Sequence, residues 1–484
     1  MIQKLYKAFM LLALVFFFAS CNNEQLSNEI IPTNNVNTPS KVPAPAALPS
    51  TVIATWINVW NGDTESWWIQ NNYHGVQVLV NGTWQSINNN DATHRAEYLA
   101  DVQAAGINTL IVDLSNGAGN NAGKAYQQLC YSNSMKICVA LNTTSTTAFE
   151  SSCGTVWTYW ANRADGTGVA YLRDTSTPAK PIIVCYMSKT MFDACVASTG
   201  PNRSKFNLVW ASGETSLVDK WGWQLEPWVG PMASTSAMFA TPATKWGANN
   251  QGSWRKSLAF FDFTMLAIKA NNPYYAIIGS YDDLSERNGW INDCNTTNSD
   301  FGEGAKMKDI YGNISNTVYY NRVKEFVTTG TLTTYNSGGL INDGAYTMQN
   351  VCYQKKFGCI RPSTSPVDVG ATLQFNQELT TNMEKYYWFY HLGNNEYRIV
   401  KLTSGLSLAA SGTSVVLAYD ANSTTQRWKL QVINSKYVLT NMSTNTSMNF
   451  AAITDGTPMD LVTTNTASTK QQFILTAVAN GIIN

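Results

Sequence analysis

The chain has 484 residues, 32 basic and 32 acidic side chains, and only 13% charged residues. That length suits two or three domains at about 150 residues each. A zero balance on so few charges excludes nucleic acid or an anionic membrane surface as the main partner.

The N-terminus reads first. Lys4 and Lys7 precede an apolar run from Ala8 to Phe18, too short to cross a bilayer as an ordinary helix. This is the pattern of a secretory signal. It ends in "FASC" and so resembles the lipobox of bacterial lipoproteins. The resemblance implies that Cys21 becomes the lipidated first residue of an exported chain, held at the membrane of the cell envelope on its periplasmic or cell-surface side. Residues 22–50 are rich in Asn, Pro, Ser and Ala, too polar and Pro-broken to fold alone, and read as a tether.

From 51 to 335, apolar runs alternate with helical patterns. Strands are predicted at 51–60, 107–114, 135–142, 180–187, 205–212, 221–227, 236–243 and 274–281. Before the second, Tyr98, Leu99, Val102 and Ala105 recur at helix spacing and Gly106 ends the helix. A second helix is predicted over 254–270. Strands alternating with helices imply a parallel sheet. Eight over this length fit a (β/α)8 barrel, with a doubly wound sheet as the alternative. No Gly-rich dinucleotide loop follows the first strand, so no nucleotide cofactor is expected.

From 340 to 484, strand-like runs are short and Thr, Ser and Asn are common. "AYTMQNV", "EYRIVKL" and "KYVLTNM" open three units. "YYW", "QRW" and "QQF" close them at Trp388, Trp428 and Phe473, a period of roughly 40 residues that reads as a three-fold β architecture. The closing motifs resemble the Gln-x-Trp of the ricin-type β-trefoil, in full at Gln426 and Trp428, in part at Gln471 with Phe473, and as Trp388 alone. That likeness implies a trefoil domain whose Gln and Trp are core residues. The stretches "FGCIRP", "LSLAAS" and "SMNFAA" lack the Asp with which that family binds sugar.

Nine Cys occur. Cys21 aside, eight remain in a chain read as exported, where disulfides are permitted. Cys130/Cys138, Cys185/Cys195 and Cys352/Cys359 are close in sequence, so local bridges are one reading and buried free thiols the other. His74, His94 and His391 are scattered and no CxxC occurs, so no zinc site is expected. The 292–304 loop lacks a calcium-ligand spacing.

Aromatics reach 12%, with 16 Trp and 23 Tyr, side chains that suit stacking on sugar rings as well as filling cores. The chemistry is concentrated in "YYAIIGSYDDLSERNGW", residues 274–290, where the last predicted strand runs into Asp282, Asp283 and Glu286. Parallel α/β barrels carry their active sites at the carboxyl ends of the strands. Asp283 and Glu286 are three apart, and i and i+3 share one side of a helical turn. Two convergent carboxylates suit glycosidic cleavage, one delivering a proton and the other activating water. Asp282 would raise a neighbour's pKa or bind a hydroxyl. A solvated acidic loop, or acids capping a helix, is the plainer reading of such a cluster.

The segment resembles the "SWND-x-x-E" and "SWNE-x-x-E" motifs of glycoside hydrolase families 71 and 99, barrel enzymes of α-1,3-glucan and α-mannose linkages. Tyr281 takes the Trp place, Asp282 the Asn place, Asp283 the first acid and Glu286 the second. The resemblance implies Glu286 as general acid and Asp283 as base, or the reverse, with Tyr281 and Asp282 beside the substrate. Trp60, Asp113, Asn142, Tyr186, Trp223 and Glu226 lie at other predicted strand ends and are candidate sugar contacts. The expectation is a lipid-anchored glycoside hydrolase of α-linked polysaccharide, without cofactor or metal. The alternative is a non-catalytic glycan-binding surface lipoprotein. Neither G-x-S-x-G nor HExxH occurs to favour an esterase or protease.

Overall fold

The computed structural model describes residues 48, 50–59, 76–114, 121–211, 237–243, 257–282, 289–297, 303–353, 355–356, 369–374, 385–402, 404–452, 454 and 456–478. In chain order the first part runs β1 (Val52–Ile57), β2 (Gln77–Val80), β3 (Thr83–Gln85), α1 (Ala92–Ala104), β4 (Thr109–Asp113), α2 (Asn121–Ser132), β5 (Lys136–Leu141), α3 (Thr146–Val156) and β6 (Ile182–Tyr186). It continues with α4 (Lys189–Ala197), β7 (Asn207–Ala211), β8 (Ala237–Ala240), α5 (Ser257–Asn271), β9 (Tyr275–Ser280), β10 (Cys294–Asn295) and α6 (Val318–Thr329).

Seven of these strands make one parallel sheet in the order β7-β6-β5-β4-β1-β9-β8. Steps between sequential neighbours all move the same way across it, and right-handed crossovers then place the connecting helices on one face. Yet β1 is buried at every position and β8 likewise. The face without helices is therefore also buried, so the sheet curls around its own side chains as a half-barrel. Val, Ile and Leu dominate β1, β4, β5 and β6, the near-continuous apolar pattern of a strand covered on both sides.

α1 starts where Asp91 caps it, accepting from the amides of Thr93 (2.7 Å) and His94 (3.1 Å). It buries His94, Tyr98, Leu99 and Val102. Gly106, at φ +85°, turns the chain into β4, and a Cβ there would come within 2.7 Å of Val327. A separate antiparallel sheet, β10-β2-β3, packs beside the main one.

The second part comprises β11 (Gly344–Asn350), β12 (Lys355–Lys356), β13 (Tyr386–Gly393), β14 (Glu396–Lys401), β15 (Leu406–Ser411), β16 (Ser414–Ala418), β17 (Trp428–Ile433), β18 (Lys436–Asn441), β19 (Thr446–Asn449), β20 (Asp460–Thr463) and β21 (Phe473–Ala477). They form one eleven-stranded antiparallel sheet. It closes on itself, because β11 pairs with β13 and β21, β13 with β14, β14 with β17, β17 with β18, and β18 with β21. Trp428 and Phe473 are fully buried and Trp388 nearly so. Gln426 donates to Tyr419 O (2.7 Å) and accepts from Ala421 N (2.8 Å), tying its own turn.

The architecture expected from the sequence, a (β/α)8 barrel followed by a trefoil, is corrected by these pairings. Barrel closure needs the two edge strands to meet, and β7 and β8 do not pair with each other among the described residues. Six α-helices accompany the seven strands there, and the strand expected at 221–227 lies outside the described residues. The second part is a closed antiparallel barrel whose units differ among the described residues. The second and third contribute the hairpins β15–β16 and β19–β20. The corresponding stretch of the first has β12 and the isolated bridges Thr372–Val416 and Gln374–Pro458.

The local disulfide reading is also corrected. Cys130, Cys138, Cys153, Cys185, Cys195, Cys294 and Cys352 are free thiols, all but Cys352 buried. Cys130 lies on α2 and Cys138 on β5, Cys185 on β6 and Cys195 on α4. Burial raises the pKa of these four thiols, which removes the thiolate that disulfide exchange requires. Cys359 lies outside the described residues.

The parallel sheet's apolar cluster extends into the second part, where Ile53 and Val112 join Trp388, Tyr390 and Val400, while the antiparallel barrel keeps a core of its own around Trp428, Leu430 and Phe473. A buried ion pair of the first part sits at the joint, where the second part adds a hydrogen bond to it. Asp262 of α5 is fully buried and takes a two-pronged contact from Arg322 of α6, with Nε to Oδ1 and Nη2 to Oδ2 both at 2.9 Å. Tyr390 of β13 donates to the same carboxylate at 3.1 Å, and the Tyr335 ring lies 4.5 Å from the guanidinium. Burial alone would lower the Arg322 pKa, but the Asp262 carboxylate more than offsets it and the guanidinium stays charged. Removing one member of such a pair strands the other charge in the core. Arg322→Met is expected to lower stability by about 3–5 kcal/mol, read as a shift of the denaturant midpoint. A midpoint equal to wild type would show that the pair does not hold the joint.

Candidate active site

Because the strands are parallel, their carboxyl ends line one rim. The rim starts from a bulge. Ala54 pairs with Ile277 but Trp56 with Ser280, so β9 carries one extra residue opposite β1. Gly279 absorbs it at φ +45°, a left-handed conformation that costs a residue with a Cβ about 1–2 kcal/mol. The Thr55 hydroxyl caps the bulge, donating to Ile278 O at 2.8 Å with Gly279 O at 3.2 Å. Past the bulge, Tyr281 N donates to Trp56 O (2.8 Å). Bulges re-aim the residues that follow them, and here those are Tyr281 and Asp282.

Tyr281 is fully buried. Its hydroxyl donates to Asp101 Oδ2 at 3.1 Å, and its ring meets Tyr98 and Trp290 edge-on at 5.5 and 4.9 Å. Burial raises the Asp101 pKa, partly opposed by the hydrogen bonds from Tyr281 and Asn292.

Asp282 is 1% exposed. One carboxylate oxygen accepts from Asn58 N just past β1 (2.8 Å). The other accepts from Asn89 Nδ2 between β3 and α1 (2.8 Å). Asn89 Nδ2 also donates to Asn58 O at 2.8 Å, and Asn89 Oδ1 accepts from the Tyr126 hydroxyl of α2 at 2.6 Å. Arg95 Nη1 donates to Asn89 O at 2.7 Å. A carboxylate this deep is tolerable only when hydrogen-bonded. Burial, and then the Asp282 charge, hold the Tyr126 pKa well above 10, so its hydroxyl keeps the proton it donates.

Beyond Asp282 the chain re-enters the described structure at Gly289, which bridges to Ser280, and Trp290 N donates to Tyr281 O (3.1 Å). Both ends of the 283–288 segment are thus pinned to the end of β9. Asp283 and Glu286 themselves lie outside the described residues, as do Trp60, Trp223, Glu226 and Cys21.

Of the other candidates, Asp113 is the last residue of β4 and Tyr186 the last of β6, both half-buried, while Asn142 follows β5 and is exposed. They stand along the same rim as Tyr281 and Asp282, in the strand order β9-β1-β4-β5-β6. Asn58, Asn89, Arg95 and Tyr126 were not singled out by sequence. Single amides and a helical Tyr carry no motif, and the only local signal was the capping Asp91 two residues after Asn89.

His94, beside this cluster, accepts from Asn88 N at Nδ1 (3.3 Å) and meets Gln85 Oε1 at Nε2 (3.3 Å), with burial lowering its pKa. That arrangement fits a neutral ring protonated on Nε2. Among the described residues, no group of three or more His, Cys, Asp or Glu is placed to hold a metal ion. No helix there is long and apolar enough to cross a membrane.

Comparison with known proteins gives no matching family model and no matching curated protein. Solved structures match at low coverage. A designed three-fold symmetric protein is 20% identical, with 28% of this chain and all of that one covered, at a TM-score of 0.25. A lectin from Polyporus squamosus bound to a sialylated epitope is 12% identical over 29% of this chain and 50% of that one, TM-score 0.25. An exo-β-1,3-galactanase from Clostridium thermocellum is 16% identical over 31% and 33%, TM-score 0.25. This chain thus spans a third to a half of the galactanase and the lectin. The matched structures include both glycoside hydrolases and lectins, and at these scores none carries its activity over to this chain.

The bulge is testable alone. Gly279→Val is expected to lower the thermal midpoint. Gly279→Asn, which tolerates a left-handed conformation, is expected to lose less. Equal losses would mean that the positive φ is not the constraint.

Proposed function

We propose that the chain is a glycoside hydrolase acting on α-linked polysaccharide of the α-1,3-glucan or α-mannan type. Asp283 and Glu286 would divide the roles of general acid and base, with Asp113, Asn142 and Tyr186 along the rim as sugar contacts. The observation that carries this reading is the carboxyl end of β9. The bulge and the two bonds to Asp282 fix the backbone that leads directly into Asp283. A covalently adjacent carboxylate starts from a preorganised stem, which acid–base chemistry on a glycosidic bond requires.

The lipobox-like "FASC" supports export and anchoring through Cys21. A membrane-held hydrolase with a tether over 22–50 would reach polymeric substrate outside the bilayer.

The test is a panel of α-glucans and α-mannans with a reducing-sugar readout. Wild type is expected to release product. Glu286→Gln and Asp283→Asn are each expected to lower turnover by about 10²–10⁴-fold while still binding the polymer. Binding without release by wild type would favour the non-catalytic glycan-binding alternative, and neither binding nor release would end both readings.

A further inference from the structure

A cleft of about 300 Å³ lies where the two parts of the molecule meet. Ser257, the first residue of α5, lines it together with Glu303, Lys306 and Lys308 of the segment after β10. The second part adds Tyr419 and Asp420, which follow β16. α5 joins the parallel neighbours β8 and β9, and such a connecting helix runs back against its strands. Its first residue therefore lies towards their carboxyl ends, on the rim side of the sheet.

Ser257 is only 8% exposed, and its hydroxyl is buried without a hydrogen-bond partner. A buried hydroxyl left unpaired is costly, and native structures carry few of them. Its backbone also sits at φ +72°, which a residue with a Cβ adopts only under strain. Beside it, Glu303 Oε1 accepts from Lys306 Nζ at 2.5 Å and Oε2 from Lys308 Nζ at 2.6 Å. These bonds hold the Glu303 carboxyl below its usual range, so it stays ionised. Lys308 also donates to Asp420 O. An ammonium has three donors, so Lys306 keeps two and Lys308 one. Asp420 accepts from Ser407 through Oδ1 and meets Arg398 there at 3.5 Å, which leaves Oδ2 as an acceptor.

Two ammonium groups and two carboxylates thus line the cleft and balance. A cation would meet the lysines, and an anion would meet the carboxylates. An apolar ligand would strip water from all four. What fits is an uncharged ligand that both donates and accepts.

We propose that this cleft binds one sugar unit of a glycan, an uncharged ring dense in hydroxyls. Ser257 bonds one hydroxyl and is thereby satisfied. Lys306 donates to another, and Glu303 accepts from a third. Tyr419, half-buried in the same wall, offers an apolar ring body with a polar tip. None of these residues belongs to the 274–290 segment, so sugar can be held here whether or not that segment cleaves it.

The experiment is a saturation-transfer NMR titration of the purified full chain with glucose, mannose, galactose and N-acetylglucosamine. Inorganic phosphate is the charged control. At least one sugar is expected to bind, and phosphate is not. Ser257→Ala removes one hydrogen bond to the sugar and is expected to weaken binding about 2–10-fold. Lys306→Met breaks a partly exposed ion pair of little weight in folding and is expected to weaken binding by a similar factor. Thermal melts run in parallel. Without ligand, Ser257→Ala is expected to melt no lower than wild type, because the hydroxyl it removes has no partner in the protein.

Sugar binding that neither variant weakens would put the sugar elsewhere on the molecule and overturn the proposal. Phosphate binding in place of sugar, or no binding of any of the four sugars, would overturn it too. If Ser257→Ala shows no cooperative melt, Lys306→Met decides. Release of reducing sugar from the polysaccharide panel bears on the hydrolase reading alone, so the two can fail separately.

Discussion

A carboxylate with almost no access to water must be bonded or it must lose its charge. Asp282 is bonded on both oxygens, and its partners belong to segments far apart in sequence. To satisfy it, the chain has to bring the residue after β1 and the loop before α1 to the end of β9 together. The Gly279 bulge is the backbone side of the same demand. One extra residue in β9 lets the Tyr281 amide donate to Trp56 O while Asp282 reaches Asn58. The rim is thus set by polar satisfaction as much as by apolar packing, and the acidic segment grows from its most constrained point.

The same logic joins the two parts of the molecule. α5 is buried nearly throughout, packed on β8 and α6, and at Asp262 it meets Tyr390 of the antiparallel barrel. A charge at Asp262 in such a helix is tolerable because Arg322 meets it with two bonds and Tyr390 with a third. Tyr390 comes from the barrel, so the barrel completes the solvation of a charge in the other part. The segment after β10 adds further ties. Lys308 bonds to Glu303 and to Asp420 O, and Arg398 reaches Tyr311 O and Ala421 O at 2.7 and 2.8 Å. The antiparallel barrel is therefore tied both to α5 and to the segment after β10.

Much of the local structure was legible in the sequence. The runs "INTLIVDL", "MKICVALN", "KPIIVCYM" and "YYAIIGSY" each contain the strand that forms, because continuous Val, Ile and Leu mark a strand buried on both faces. The helix ending at Gly106 was legible from its spacing and stop. Closure was not legible. Whether β7 and β8 meet depends on pairing between distant edges, which no local pattern encodes. Nor were the thiols, since nearness in sequence says nothing of which layer each Cys enters. At the site, the acids drew attention because charge is rare in this chain. The groups that hold Asp282, directly or through Asn89, are Asn, Tyr and a backbone amide, which look the same in sequence whether they clamp a carboxylate or face water.

The placement of β1 also bears on how the molecule comes into being. The bond from Thr55 to Ile278 spans 223 residues. Among the described strands the first made lies inside the parallel sheet, and its β9 neighbour is the last strand of that sheet to be synthesised. At about 5–20 residues per second, the apolar edge of β1 waits on the order of ten seconds or more for its second partner. Pairing of such high sequence separation is slow to form and prone to aggregate meanwhile. The chain is thus one that completes its central sheet only after most of its length is available, and its earliest strand depends until then on β4 alone or on a chaperone.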